Sequence, residues 1–191
     1  MFVAVDVPDP VKDSLATAIV PYRERIPGAR WTNRGGWHVT LKFLGSTWPR
    51  LVSAVHDGVS AAAASAEPFD SALTEIGVFP SARRARVIWA GLSDPDGRFG
   101  QLVKLLDDLL AEYFVPENRA FTPHLTLARL TPPRDLGEFV PGLVGTGVRS
   151  SPFTVDRLVL YRSHLSPRGA TYEPVLAAPF GEAGPSKAPA S

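Results

Sequence analysis

Of the four histidines in the chain, two stand in the same frame: His38 in "HVTL" and His124 in "HLTL", each followed two residues on by a threonine, Thr40 and Thr126. In a strand, successive side chains alternate between faces, so each histidine shares a face with its threonine while Val39 and Leu41, or Leu125 and Leu127, point the other way. Such a strand has an apolar back that can anchor a core and a polar front that can face a cleft. An imidazole has an ordinary pKa of about 6.5, so near neutral pH one copy can take a proton while a second gives one. That pairing suits in-line displacement at phosphorus. One histidine deprotonates an attacking water, the other protonates the departing ribose oxygen, and the two hydroxyls donate hydrogen bonds to the non-bridging oxygens as charge builds there. No metal is required. Proton transfer of this kind is worth about 10²–10⁴ in rate per group and an oxyanion donor about 10²–10³, so the histidines should matter at least as much as the threonines. A single histidine two residues before a threonine reads as an ordinary satisfied strand residue. Two in one frame read differently, because packing has no use for an ionisable ring beside a hydroxyl on the same face.

The elements that must hold these residues can be traced along the chain. "MFVAVDV" reads as a strand, and "DPVKDSLATAIV" as a helix capped by Asp9, with Pro10 in its first turn, Val11, Leu15 and Ile19 on one face, and Pro21 as its end. "HVTLKFLG" is a strand, followed by a helix over "TWPRLVSAVHDGVSAAAASA" with Val52, Val55 and Val59 as its apolar stripe. "FDSALTEIGVF" and "RVIWAGL" read as two strands around a polar loop, and "DGRFGQLVKLLDDLLAEYF" as a helix on the spacing of Leu102, Leu106, Leu109 and Tyr113. "HLTLARL", "FTVDRLVLYRS" and "TYEPVLAAPF" are the remaining strands, the last two joined by "HLSPRGA", and the tail "GEAGPSKAPAS" reads as disordered. About eight strands and three main helices in this order define an α+β class. The repeated motif predicts two lobes related by duplication, whose histidine strands meet across a cleft.

Composition narrows the chemistry. With 191 residues, 45 % of them hydrophobic, the chain can bury a sizeable core. A net charge of +1 argues against a wide electrostatic footprint on nucleic acid, so a nucleic-acid substrate is expected to be gripped over a few nucleotides. The absence of cysteine excludes disulfides, thiolate metal sites and a thiol nucleophile. No glycine-rich phosphate or dinucleotide fingerprint is present. The first residues lack a leader pattern and no apolar run reaches a membrane-spanning length, so a soluble, cytoplasmic protein is expected, with no cofactor and no obligatory protein partner, as a monomer.

The motifs "HVTL" and "HLTL", together with "FVAVDVP", "PGARW", "FPSARRARVIWAGL" and "VDRLVLYRSHLSPRGATYEPV", resemble the two-histidine phosphoesterase superfamily, and within it the bacterial RNA 2′,3′-cyclic phosphodiesterases, also called 2′-5′ RNA ligases. The resemblance covers nearly all of the chain except the tail. It implies one bilobal domain over residues 1–180, with one motif per lobe at 38–41 and 124–127, pseudo-two-fold, in which two antiparallel sheets line a V-shaped cleft and the helices pack outside. It implies hydrolysis of the 2′,3′-cyclic phosphate of RNA ends or of small cyclic nucleotides to a 2′-phosphomonoester. By the same resemblance His38 is the proton donor to the 3′ oxygen, His124 the proton acceptor that activates water, and Thr40 and Thr126 hold the phosphate; the sequence physics alone assigns neither histidine its role. Arg129 matches a family arginine near the water, yet its offset of five from His124 puts it on the back of a regular strand, so a bulge would have to turn it inward. Phe43 has the same odd offset from His38 and reads either as a stacking platform for the terminal base or as core.

Other residues divide between functional and structural readings. Lys42 has the parity to face the cleft, or is an exposed strand-end lysine. His164 in "HLSP" imitates a third motif, but Pro167 makes that segment a turn. His56 reads as a partly exposed helical imidazole. Arg83, Arg84 and Arg86 either meet RNA phosphates or form a solvated loop run, and Trp31, Trp37, Trp48 and Trp89 are stacking candidates of which most should be core. Three rival functions remain beside cyclic phosphodiester hydrolysis. These are 2′-5′ ligation or cleavage with the same histidines, a nucleotide-binding module without turnover, and a metal hydrolase. The last is disfavoured by the absence of cysteine and of a clear carboxylate cluster near either motif.

Overall fold

The computed structural model describes residues 1–116, 120–140, 142–166 and 169–181. Its elements run β1 (Phe2–Asp6), α1 (Asp9–Arg23), β2 (Arg30–Trp31), β3 (His38–Phe43), α2 (Val52–Ala64), β4 (Phe69–Ser71), β5 (Leu73–Phe79), β6 (Ala85–Leu92), α3 (Arg98–Leu109), β7 (His124–Arg134), α4 (Leu136–Phe139), β8 (Phe153–Val155), β9 (Arg157–Ser166) and β10 (Gly169–Pro179). This is the expected α+β class with antiparallel pairing throughout. The main sheet has the order β10-β9-β1-β3-β7-β6-β5, with β2 beside β7, while β4 and β8 form a separate ribbon. Its two strand groups meet at β3 and β7, where the register holds one Cα pair, Val39 with Leu125. So brief a seam between the two groups lets β3 and β7 part on either side of it. The expected disordered tail lies, beyond Gly181, outside the described residues.

Burial explains most of the element boundaries. In α1, Val11, Leu15 and Ile19 are buried as the spacing predicts, but Pro8 stands at the cap and Asp9 is already helical. The helix also passes through Pro21 to Arg23 instead of ending there. A proline so close to a helix end forfeits one backbone bond, and the anchored apolar stripe offsets that loss. In α3 the buried stripe is Phe99, Leu102 and Leu106, continued by the fully buried Leu110. Leu109 and Tyr113 are exposed, and the helix stops at Leu109, short of the expected end. In α2 the valines 55 and 59 are buried with Ala62 and Ala63, whereas Val52 is only half-buried. Helix α2 packs on β9 and β10, and α3 packs on β3 and α2.

Two strand assignments differ from the sequence reading. "FDSALTEIGVF" divides at Ala72 because Ser93 intervenes: its hydroxyl accepts from the Ala72 amide at 2.9 Å, and its carbonyl accepts from the Ser71 hydroxyl at 2.9 Å. The piece before the break pairs with β8 and the piece after it with β6. His164 lies in β9 opposite Thr171, not in a turn, and its Nε2 is 2.8 Å from the Glu173 carboxylate. Extending β9 this far satisfies backbone groups that a turn would have left to solvent.

Candidate active site

The Val39–Leu125 pair fixes how the two motifs meet. One step along the antiparallel strands in either direction brings His38 level with Thr126 and Thr40 level with His124. The motifs are therefore reciprocal. The two imidazoles thus flank the single paired position and open onto the same cleft. All four side chains are partly exposed, alternate with the buried Val39, Leu41, Leu125 and Leu127, and line one cleft of about 1530 Å³.

Each motif is followed by a bulge at the same place. On β3 the partners of Val3 and Ala4 of β1 are Lys42 and Thr40, leaving Leu41 as the extra residue. On β7 the partners of Ile88 and Trp89 of β6 are Ala128 and Thr126, leaving Leu127 extra. An extra residue inverts the alternation beyond it. Phe43 and Arg129 are therefore returned to the face of the histidines, and both border the cleft. Phe43 is 60 % exposed, which rules out its core reading, and its ring lies 6.0 Å from that of Phe2. Lys42 is turned the other way: it is 3 % exposed and pairs with Asp107 of α3 at the cleft wall, against the expectation that its parity would bring it out to the phosphate. Ala128 is its buried counterpart.

The surroundings of the two histidines differ. His38 is stacked on Phe2 at 4.8 Å and on Tyr161 at 5.7 Å, and meets the edge of Tyr172 at 5.1 Å. Gly36 lets Tyr172 approach, since a Cβ there would sit 3.2 Å from its ring. Burial pushes the His38 pKa down to about 4; the carboxylate of Asp6, opposite it on β1, works against this shift, and the Lys12 ammonium adds to it. Asp6 accepts hydrogen bonds from the Tyr161 hydroxyl at 2.7 and 2.9 Å. His124 instead meets Phe79 edge-on at 5.1 Å and Trp89 at 6.2 Å. The Trp89 indole lies over Gly77, where any side chain would collide with it. His124 Nδ1 is 2.7 Å from the Thr122 carbonyl. A carbonyl only accepts, so Nδ1 carries a hydrogen, which in the neutral ring puts the lone pair on Nε2.

Phe2, Asp6, Tyr161, Tyr172 and Phe79 escaped the sequence reading as site residues. The signal for Asp6 was present, as a charge sharing the face of Phe2 and Ala4 in an otherwise apolar strand. The aromatic residues could be identified only from strand order. Of the residues set aside earlier, His56 and His164 do not border the cleft, nor do Arg83, Arg84 and Arg86, which are exposed near the start of β6. Trp37 is core and Trp31 and Trp89 are half-buried, while Trp48 is 65 % exposed with the Arg50 guanidinium 5.8 Å from its ring.

Paired histidines on antiparallel strands facing one cleft, each with a threonine on its own face, define the class of two-histidine phosphoesterases. The chain belongs to the 2′-5′ RNA ligase superfamily, whose model matches residues 11–167. A protein of Methanothermobacter thermautotrophicus called RNA 2′,3′-cyclic phosphodiesterase is 30 % identical over 175 residues, which is 90 % of this chain and 93 % of that protein. A protein of the same name from Thermotoga maritima is 27 % identical, with 90 % of each chain covered. Among solved structures, TT0787 of Thermus thermophilus superposes with a TM-score of 0.79 at 26 % identity, covering 94 % of this chain and 97 % of the other. Escherichia coli LigT in complex with 3′-AMP shares the fold, with a TM-score of 0.73 at 22 % identity over 95 % of this chain and 96 % of that one.

Proposed function

We propose that this chain hydrolyses the 2′,3′-cyclic phosphate at RNA ends to a 2′-phosphomonoester, without a metal, with one histidine taking a proton from water and the other giving one to the departing oxygen. The observation that carries the reading is the reciprocal register of the motifs, which presents two imidazoles and two hydroxyls to one cleft. The names of the relatives supply the substrate class. His124 is the base: with its Nδ1 hydrogen committed to the Thr122 carbonyl, Nε2 takes a proton from water as the water oxygen bonds to phosphorus. His38 is the acid: its proton passes to the 3′ oxygen as the P–O3′ bond breaks, leaving the phosphate on the 2′ oxygen. Thr40 and Thr126 donate to the non-bridging oxygens, and Arg129 adds positive charge from the same face.

The depressed pKa of His38 constrains this assignment. An acid must hold its proton when the substrate is bound, yet burial holds His38 neutral near pH 7. The phosphodiester resolves the conflict by bringing a negative charge into the cleft, which favours imidazolium. The test is incubation of an oligoribonucleotide ending in a 2′,3′-cyclic phosphate in the presence of a chelator. The expected product is the 2′-phosphomonoester. Accumulation of joined strands in its place, or loss of turnover on chelation, overturns the reading.

A further inference from the structure

We propose that Asp6, oriented by Tyr161, is a positioning residue whose carboxylate favours the protonated form of His38, the form a proton donor needs. The inference deepens the function proposed above and rests on it for the acid step. Its basis is a place where two otherwise matched halves diverge. The strand pair β1–β3 and the strand pair β6–β7 have the same register, bulge included: Asp6, Val5, Ala4, Val3 and Phe2 occupy the positions of Gly91, Ala90, Trp89, Ile88 and Val87. Opposite His38 this places a carboxylate, and opposite His124 a glycine. The next strand out diverges in parallel. Tyr161 of β9 pairs with Phe2, and Phe79 of β5 pairs with Val87, so these two rings are also counterparts. Both reach the neighbouring histidine, but only Tyr161 has a hydroxyl, and that hydroxyl donates to both oxygens of Asp6. The half around His38 thus carries a clamped carboxylate where the matching positions of the other half hold Gly91 and Phe79.

The groups around His38 can be taken element by element. From β1 comes Asp6, and from α1 Lys12, whose charge opposes it. From β9 come Tyr161 and, beside Asp6, Arg157; from β10 comes the edge of Tyr172; and from β7 come His124 and Arg129 across the cleft. Asp9 and Asp13 of α1 are engaged with Arg34. Asp6 is therefore the carboxylate placed to favour imidazolium at this position. It does not exchange a proton: the proton that leaves His38 for the 3′ oxygen is replaced from solvent.

The experiment follows the His38 ring by NMR through a pH titration in the full chain and in D6N and D6E, with and without adenosine 2′-monophosphate, alongside the pH dependence of kcat on a cyclic-phosphate oligonucleotide. In D6N the His38 titration should move down by about one unit, as expected for loss of a neighbouring carboxylate. The kcat limb that reports His38 should move the same way, and kcat near pH 7 should fall about tenfold with KM little changed. D6E, which keeps the charge, should restore both. An unchanged His38 titration in D6N overturns the proposal, as does a loss in D6E equal to that in D6N. A chain that turns over no cyclic phosphate while its His38 titration still moves in D6N upholds the coupling and overturns the function. The two failures are thereby distinguished.

Discussion

The strand groups on either side of the Val39–Leu125 seam place their motif histidines by one backbone plan and then surround them with different chemistry. Bulges at Leu41 and Leu127 return Phe43 in one half and Arg129 in the other to the cleft, an aromatic face against a guanidinium. Asp6 answers Gly91, and Tyr161 answers Phe79. Orientation is thus supplied by repeated register, and the division of labour by substitution within it. One half sets a carboxylate opposite its histidine, and the other sets a backbone carbonyl 2.7 Å from its histidine's Nδ1.

The sharpest way to break that comparison is to remove each histidine in turn. H38A and H124A should each lower turnover of the cyclic phosphate by about 10²–10⁴. The roles separate on a substrate whose leaving group needs no proton, such as an aryl phosphodiester. There H38A should regain much of its rate while H124A should not, because activation of water is still required. Equal recovery, or equal failure, of the two variants contradicts the assignment of acid and base.

A smaller effect tests the bulge. R129A should cost about tenfold to a hundredfold in kcat, the range of a hydrogen bond to a charged group, since the extra residue at Leu127 brings the guanidinium to the phosphate face. K42A is the contrasting variant: Lys42 is turned into an ion pair with Asp107, so its loss should appear in thermal stability and not specifically in kcat. If K42A lowers kcat as far as R129A does while leaving the melting temperature untouched, the two strands do not present their residues as described.

The candidate site was legible in the sequence because its signal is local. His38 and Thr40, like His124 and Thr126, share a face by strand alternation alone, and their recurrence marked the two halves. Helix α1 was legible for the same reason, since the spacing of Val11, Leu15 and Ile19 does not depend on what they pack against. Bulges leave no such trace: Leu41 and Leu127 look like ordinary alternating residues, so Phe43 and Lys42 were expected on each other's faces. Strand order was equally hidden. That β9 lies beside β1, bringing Tyr161 to Asp6 across 155 positions of sequence, follows from sheet pairing that no periodicity records. The end of α3 was overestimated because Leu109 and Tyr113 continue a helical spacing on the wrong side of the buried stripe, which passes through Leu110 instead.

The smallest expected effect concerns the folded state. His38 has a pKa of about 4 when folded, and an unfolded histidine has one of about 6.5. Between these values the unfolded chain binds a proton that the folded chain does not, so this residue makes stability fall as pH drops from about 6.5 to about 4 and contributes no further change below. Replacing it by phenylalanine keeps an aromatic ring in the stack with Phe2 and Tyr161 and removes the titration. H38F should therefore lose less stability than the parent chain between pH 7 and pH 4.5, measured by urea denaturation at each pH. Parallel losses in the two proteins would mean that burial does not hold His38 neutral, and the contrast between the two halves would then rest on Asp6 and Tyr161 without any desolvation for them to oppose.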